Sequence, residues 1–378
     1  MKKKILFIVT EDWYFLSHRL KLAKFLSKKG FEIFVCCKDT GRAEEIEKNG
    51  ICYFSLDTDR KSLSIFKLFK ESISIIKIAK NIRPEVIHLI SMRSIITGTF
   101  AAFFIKSRFC ATFTGMGFLF IKKNFKISFL RNIIINYLKA FLKFKVLFFI
   151  VQNRDDKAFF KKMFNLNKTM LRIIRGSGVD INYFKYFPEI NKEKVRLAYA
   201  GRILEDKGIF WLVEAYKKAK AKFENLELYI AGSLDEKNPS SIQKDQFKKL
   251  IDFKDIYYVG NIRNIKKFWQ HADIAVLLSK REGLPLSLME AAAVGRPIIS
   301  TDVTGSREIA INNYNSVNIK IENIQACSKA ILKLAKNKML RKKYGKNSRK
   351  LVEGDMAITQ VNYKYYSLYN DIIKLEKR

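Results

Sequence analysis

The sequence is poor in the side chains that hold metals and disulfides. It has five cysteines and three histidines, and no two cysteines have a C-x-x-C spacing. An odd cysteine count without such a pair argues against a disulfide framework and against a zinc site. It favours buried thiols in a reducing cytosol. The histidines His18, His88 and His271 form no visible metal-binding cluster.

Long apolar runs are also missing. The longest uncharged candidate, residues 109–121, is thirteen residues long and contains Gly115 and Gly117. A membrane-spanning helix needs about 20 apolar residues, so none is expected. The first ten residues resemble a signal peptide superficially, but their apolar run ends at Val9 and Glu11 and Asp12 follow. We interpret this run as a first buried strand.

Acidic residues are scarce. The chain has 36 Asp and Glu against 72 Lys and Arg, which gives a formal net charge of +36 over 378 residues. Such a charge favours a polyanionic partner, namely nucleic acid, an anionic membrane surface or phosphorylated small molecules. Part of the excess is what translation of an AT-rich genome would give, because Lys, Ile, Asn and Phe are all abundant.

What the chain does contain is an alternation of strand-like and helix-like segments, which predicts parallel, doubly wound α/β sheets. The length fits two domains, and the break is predicted in residues 182–194, which hold Pro188 and a cluster of charges. We predict an N-terminal domain over residues 1–185, a C-terminal domain over 186–354 and a C-terminal helix, packing back toward the first domain, within 355–378. Strands are expected near residues 5–10, 31–37, 52–56, 86–91, 111–114, 146–152, 196–200, 226–231, 256–259, 274–278 and 298–301. Helices are expected at 17–29, 63–82, 210–222, 265–270, 286–294 and 358–374.

Two glutamates eight residues apart form the most informative motif. Glu282 precedes a Gly-Leu-Pro turn, and Glu290 follows on a helix predicted to begin near Pro285. Proline is well suited to the first helical position. The first turn of that helix offers unpaired backbone N–H groups and a partial positive charge, which suit a phosphate. With a carboxylate on either side for hydroxyls, the loop has what a nucleotide-sugar pocket needs.

A second motif follows the strand predicted at 196–200. Gly201 and Arg202 come directly after it, and Lys207 and Gly208 open the next helix. Arg202 offers a planar fork for phosphate and Lys207 a mobile point charge, so both would reach one anionic group. In so lysine-rich a chain, two solvated surface charges are the alternative. Ligands bind at the carboxyl ends of strands in open α/β sheets, which is where both motifs lie.

Together these motifs resemble those of the retaining glycosyltransferases of family 4, which have the GT-B fold of two facing Rossmann-like domains with a deep interdomain cleft. The resemblance covers most of the chain. The matching pieces are Ala200-Gly201-Arg202 with Lys207-Gly208, Ile230-Ala231-Gly232, Val259-Gly260, residues 272–279, Glu282 to Ala291, Gly295-Arg296-Pro297, Gly305-Ser306-Arg307-Glu308, residues 152–156 and residues 176–180.

The resemblance implies roles for these residues. Glu290 would bind the ribose hydroxyls, and Glu282 would contact the donor sugar. Arg202 and Lys207 would neutralise the departing diphosphate, which fits the physics because the leaving group builds negative charge. The implied catalytic residues are Arg202, Lys207 and Glu282. The implied donor-binding residues are Gly201, Gly283, Leu284, Pro285, Leu286 and Glu290. GT-B enzymes generally act without a divalent metal, so the resemblance implies neither a metal nor another cofactor.

The N-terminal half supplies weaker candidates for the acceptor side. His18 and Arg19 follow the first strand, and Gly115 and Gly117 would let backbone approach a ligand closely. Many family members carry a functional histidine in this loop region, and here there is none, so no general base is assigned. His88 lies on a strand and is expected to be a core histidine. In the front-face mechanism proposed for the family, the leaving phosphate itself takes the acceptor proton.

Residues 86–154 contain no acidic residue. Within them, apolar side chains from Phe125 to Phe141 recur at i, i+4 and i+8, as on an amphipathic helix with basic flanks. Such a helix is typical of the interface of an anionic membrane, and an ordinary core-facing helix with solvated lysines is the alternative. We predict docking through the basic segment 118–145. The basic residues of the acid-free region are Arg93, Lys106, Arg108, Lys122, Lys123, Lys126, Arg131, Lys139, Lys143, Lys145 and Arg154.

The resulting hypothesis is a retaining, metal-independent glycosyltransferase on the cytoplasmic face of the membrane. It would move a hexose or N-acetylhexosamine from a nucleotide sugar, UDP-linked by family frequency, to a polyprenyl-diphosphate-linked saccharide of O-antigen, capsule or glycoprotein glycan. One alternative is a nucleotide-sugar 2-epimerase of similar fold. The other is a basic nucleic-acid-binding protein, for which no recognisable motif is present.

Overall fold

The computed structural model describes residues 2–58, 64–114, 125–166, 170–235, 238 and 240–375. These form two compact units. Unit 1 comprises Met1–Ser177 and Val361–Arg378, and unit 2 comprises Gly178–Gln360. The domain limits at 185 and 354 stay predictions.

Unit 1 is built on a parallel seven-stranded sheet with the order β3-β2-β1-β4-β5-β6-β7. Its first strand is buried on both faces, since Ile5 and Phe7 belong to one apolar cluster and Leu6 and Ile8 to another. This two-sided burial explains the continuous apolar run at the start of the chain. The strands are β1 (Lys3–Glu11), β2 (Phe31–Lys38), β3 (Cys52–Ser55), β4 (Val86–Ile90), β5 (Arg108–Thr112), β6 (Leu147–Val151) and β7 (Leu171–Ile173).

Helices cover both faces of this sheet. They are α1 (Asp12–His18), α2 (Leu20–Lys28), α3 (Ala43–Lys48), α4 (Ile65–Ile82), α5 (Met92–Ala101), α6 (Phe125–Phe144), α7 (Arg154–Phe164) and the final helix α15 (Ile358–Lys374). A short 3-10 turn, Ala102–Phe104, follows α5. No helix among the described residues combines the length and apolarity needed to cross a bilayer.

The final helix packs into unit 1 through Tyr365 and Tyr369, which are both fully buried. The Tyr369 hydroxyl lies 2.7 Å from His88 Nδ1, and the Thr112 hydroxyl lies 2.6 Å from His88 Nε2. These contacts confirm that His88 is a core histidine. Burial lowers the pKa of His88 well below its ordinary value, so the ring stays neutral.

Unit 2 contains a parallel six-stranded sheet with the order β10-β9-β8-β11-β12-β13. Numbered from β8, this is the 3-2-1-4-5-6 order of a doubly wound dinucleotide-binding fold. The strands are β8 (Val195–Ala200), β9 (Leu226–Ala231), β10 (Ile256–Gly260), β11 (Ile274–Leu277), β12 (Ile298–Thr301) and β13 (Ser316–Ile319). The helices are α8 (Ile209–Lys220), α9 (Lys244–Ile251), α10 (Ile265–His271), α11 (Leu286–Val294), α12 (Ser306–Ile309), α13 (Ile324–Ala335) and α14 (Lys338–Val352).

The predicted class, two doubly wound α/β domains, is confirmed. Two local predictions were wrong. The helix expected at 17–29 is interrupted at Arg19, whose φ of −125° ends α1 before α2 begins. Of the five cysteines, which are all free, Cys52 is exposed rather than buried because it lies on the edge strand β3.

Candidate active site

Both sequence motifs lie at the point in the second sheet where the strand order reverses. Strands β8 and β11 are neighbours there, with β9 on the far side of β8 and β12 on the far side of β11. Gly201 and Arg202 follow β8 directly, and the loop bearing Glu282 follows β11. Because chain connections leave such neighbouring strands in opposite directions, a crevice forms at their carboxyl ends. The fold therefore brings the two motifs to one place.

An ion pair joins the two loops. Lys207 Nζ donates to Glu282 Oε1 at 2.5 Å, and the two side chains are 22% and 11% exposed. The hydroxyl of Ser279, which is fully buried, donates to the same carboxylate oxygen at 2.5 Å. Two donors therefore fix the Glu282 carboxylate. The ammonium group of Lys207 is held beside it, so a ligand that contacts this carboxylate also lies close to Lys207.

The backbones of the loops are tied together as well. The N–H of Lys280 donates to the carbonyl of Asp206 at 2.8 Å. Gly208 has φ of +74°, and a Cβ there would collide with the carbonyl oxygen of Leu278. Only glycine adopts this conformation at so close an approach without strain. The glycine after Lys207 is therefore required by the contact between the loops.

Arg202 lies at the start of the loop after β8, five residues before Lys207. Its Nη1 donates to Asp235 Oδ2 at 2.8 Å, and its side chain is 37% exposed. Beneath it, the buried hydroxyl of Tyr199 donates to the Arg202 carbonyl at 2.7 Å. Burial raises the pKa of the Tyr199 hydroxyl far above its usual range, so it remains a donor. The backbone that carries Arg202 is consequently fixed, while its guanidinium reaches solvent.

Helix α11 presents one partly exposed stripe. Pro285 precedes its first residue, Leu286. Within the helix, Leu286, Ser287 and Glu290 are partly exposed and all other residues are buried. Residues spaced by three and four share one face of a helix. Glu290 therefore lies on the stripe that starts at the helix N-terminus, and its Oε2 accepts from Trp269 Nε1 at 3.3 Å.

The loop after β12 supports the Gly-Leu-Pro turn from behind. The N–H of Glu282 donates to the Thr304 carbonyl at 3.1 Å. Gly305 has φ of +82°, and a Cβ there would strike the carbonyl oxygens of Glu282 and Gly283. Gly283 and Leu284 are themselves buried, so the turn is packed on one side and leads into α11 on the other.

The acceptor candidates belong to unit 1. The His18 ring stacks on Tyr14 with centroids 4.5 Å apart, and its Nδ1 lies 2.7 Å from the Ser17 hydroxyl. Arg19 is 1% exposed and donates to the Tyr365 hydroxyl at 3.0 Å, so its side chain packs against α15. Gly115 and Gly117 lie outside the described residues, and their predicted role stays a prediction.

Sequence reasoning assigned no role to the residues that hold the site in place: Tyr199, Asp235, Trp269, Ser279 and Thr304. Ser279 had one usable signal, since it ends the apolar run of β11 three residues before Glu282. Tyr199 and Trp269 look like ordinary core residues in the sequence. The sequence does not distinguish an aromatic side chain that only packs in the core from one that also donates a hydrogen bond there.

Comparison with known proteins identifies two family models. The model described as glycosyl transferases group 1 matches residues 182–351, and the one described as glycosyl transferase 4-like matches residues 4–153. Each matched range lies entirely within one of the two units.

Two curated relatives span nearly the whole chain. One is the N,N'-diacetylbacillosaminyl-diphospho-undecaprenol alpha-1,3-N-acetylgalactosaminyltransferase of Campylobacter jejuni, which is 26% identical over 95% of this chain and 98% of its own. The other is the UDP-Gal:alpha-D-GlcNAc-diphosphoundecaprenol alpha-1,3-galactosyltransferase of Escherichia coli, 25% identical over 94% of this chain and 93% of its own. Among solved structures, a glycosyltransferase from Rickettsia africae superimposes with a TM-score of 0.80 at 20% identity, covering 99% of this chain and 100% of that one, which supports the fold.

Proposed function

The chain belongs to the group 1 glycosyltransferases with a GT-B fold, and from that premise we propose that it transfers a hexose or N-acetylhexosamine from a nucleotide-diphosphate sugar to a lipid-linked saccharide. The observation that carries the proposal is the Lys207–Glu282 ion pair, which joins the loop leading to α8 with the loop leading to α11. It combines a cation for a phosphate with a carboxylate for sugar hydroxyls at one crevice of the sheet.

The donor would lie across this crevice. Its diphosphate would meet the backbone N–H groups of Leu284 and Leu286 at the start of α11, since a helix N-terminus binds anions; Pro285 between them has no N–H to donate. Lys207 and Arg202 would approach the phosphates from the loop after β8. Glu290, on the partly exposed stripe of α11, would accept hydrogen bonds from the ribose hydroxyls. A UDP donor is favoured because the Escherichia coli relative is named for UDP-Gal.

The reaction breaks the bond between the sugar C1 and the diphosphate oxygen and forms a bond from C1 to an acceptor hydroxyl oxygen. Negative charge builds on the departing diphosphate, where fixed cations and amides stabilise it with little reorganisation. We propose that the acceptor proton passes to that phosphate oxygen on the same face of the sugar, so that the anomeric configuration is retained. The α-1,3 linkages in the names of both relatives support retention.

The proposed acceptor is a polyprenyl-diphosphate-linked saccharide at the cytoplasmic face of a membrane, in the synthesis of a surface glycan. Both relatives are named for undecaprenyl-diphosphate-linked substrates. The basic segment 118–145 would hold the protein peripherally on anionic lipid, where such an acceptor presents its diphosphate. The described part of this segment includes helix α6, which carries no acidic residue.

The test is transfer from a panel of UDP-sugars to a polyprenyl-diphosphate-linked saccharide in detergent, with and without EDTA. We expect a glycosylated lipid product, unchanged by the chelator, whose new linkage has the α configuration by NMR. Release of an epimerised sugar from the donor alone would support the epimerase alternative. Loss of activity in EDTA would refute metal independence, and an inverted linkage would refute the proposed mechanism.

A further inference from the structure

Helix α4 exposes large apolar side chains that the core does not use. Phe66 is 88% exposed, Ile65 81%, Phe69 51% and Ile73 37%. Phe66, Phe69 and Ile73 are spaced by three and four residues and so share one face of the helix. Single exposed apolar residues are normal, but a contiguous row of this kind marks an interaction surface.

The row continues onto two other elements of unit 1. Phe69 contacts Phe100 of α5 with ring centroids 5.6 Å apart, and Phe100 contacts Phe104 at 5.9 Å. The neighbouring Phe103 contacts Phe144, at the end of α6, with centroids 6.4 Å apart. Phe103, Phe104 and Phe144 are 44%, 56% and 73% exposed. We call this continuous surface, formed by Phe66, Phe69, Ile73, Phe103, Phe104 and Phe144, the aromatic band.

The elements that form the aromatic band carry exposed charges of one sign. Within α4, the stretch from α5 to Phe104, and α6, the sole acidic residue in the sequence is Glu71. Its side chain is 1% exposed and accepts from Arg93 Nε at 2.8 Å, so it adds no negative charge to the surface. Exposed lysines stand on the same elements and beside them, namely Lys70, Lys77, Lys106 and Lys143.

We propose that the aromatic band inserts into the interfacial layer of an anionic lipid bilayer, with these lysines at the headgroups. Aromatic and aliphatic side chains ringed by lysine are what such an interface accommodates. A second copy of the chain fits the band less well, because two surfaces of the same positive sign repel each other. The inference deepens the proposed peripheral association and rests on it, but it moves the contact surface beyond segment 118–145 to include α4 and the turn after α5.

The experiment is co-sedimentation with vesicles of phosphatidylcholine, with and without phosphatidylglycerol. The variants are Phe66→Ser and Phe144→Ser, and the matched control is Met339→Ser, a 74% exposed apolar residue of α14 in unit 2. We expect each band variant to bind phosphatidylglycerol vesicles about tenfold more weakly, a change of ~1.4 kcal/mol. The control should bind like the wild-type protein, and circular dichroism should show all three variants folded.

Each outcome decides the matter. Wild-type-like vesicle binding by both band variants would refute insertion of the aromatic band and would mean that another surface contacts the membrane. If the wild-type protein binds no vesicles, the band and the peripheral association both fail, although sugar transfer to a detergent-solubilised acceptor would leave the proposed reaction standing. If Phe66→Ser instead changes a monomer–dimer equilibrium in sedimentation velocity without affecting vesicle binding, a second copy covers the band and the lipid proposal is overturned.

Discussion

Replacing Lys207 by methionine is expected to slow sugar transfer by a factor of a hundred to a thousand without unfolding the protein. The substitution keeps most of the side-chain length and removes the charge. In the structure, Lys207 Nζ contacts Glu282 Oε1 at 2.5 Å across the two loops of the candidate site. The change therefore removes a fixed cation from the position where we propose that the diphosphate departs.

The magnitude follows from the geometry. A unit charge ~4 Å from the developing phosphate charge is worth about 4 kcal/mol at an effective dielectric constant of ~20. Since ~1.4 kcal/mol corresponds to a factor of ten in rate, the upper limit is about a thousandfold. Glu282 offsets part of this charge, which brings the expected loss to about 10²–10³, the range found when one oxyanion donor is removed. Most of the loss should be in kcat, because the charge builds as the bond breaks.

The assay is single-turnover transfer at saturating donor, combined with thermal unfolding. The matched control is Lys217→Met on α8, where the lysine pairs with Glu214 at 3.0 Å with both side chains partly exposed. This control should keep wild-type activity, because its pair lies outside the candidate site. A Lys207→Met protein that transfers sugar within threefold of the wild-type rate would refute the assignment of Lys207 as the cation at the leaving group.

Three further predictions concern other residues. Glu290→Gln should weaken UDP binding about 10- to 100-fold, because a charged hydrogen-bond acceptor is worth ~1.5–3 kcal/mol; calorimetry would measure this, and unchanged affinity would contradict the ribose role. Ser279→Ala should lower kcat about tenfold with little change in donor KM, since it removes one ~1.4 kcal/mol constraint on Glu282; an equal loss in a Glu282→Gln background would show that Ser279 acts independently of that carboxylate. His88 has a lowered pKa when folded, so the unfolded chain takes up the proton first and stability is lost as the pH falls below the ordinary value of 6.5. Urea unfolding should show this loss, up to ~1.4 kcal/mol per pH unit, and the His88→Gln protein should show a flatter pH dependence.

The long elements of the fold were predictable because their sequences are consistent at several levels. The helices predicted at 286–294 and 358–374 and the strand predicted at 226–231 have the predicted bounds in the structure. Strands β7 and β13 were not predicted. They are short strands at sheet edges, and polar residues interrupt both of them, so neither shows the apolar run that distinguishes a buried strand from a loop.

The candidate site divides in the same way. Glu282, Glu290, Arg202 and Lys207 could be selected because their spacing relative to strands and turns is local in sequence. Much of their support could not be predicted, since it depends on pairing across the sheet. The contact between Asp235 and Arg202 joins the segments that follow two neighbouring strands, and the two residues are 33 positions apart in sequence. Only the strand order determines that these side chains meet.

The Lys207–Glu282 pair also bears on which anions the site accepts. A phosphate that approaches Lys207 has to share the ammonium group with a carboxylate already fixed 2.5 Å from it. Inorganic phosphate brings negative charge and no sugar, so it would face Glu282 across a short distance with little to offset the repulsion. A sugar diphosphate brings hydroxyl groups that can donate to the same carboxylate. We therefore expect the pair to act as a filter that favours glycosylated diphosphates over the free phosphate that surrounds them.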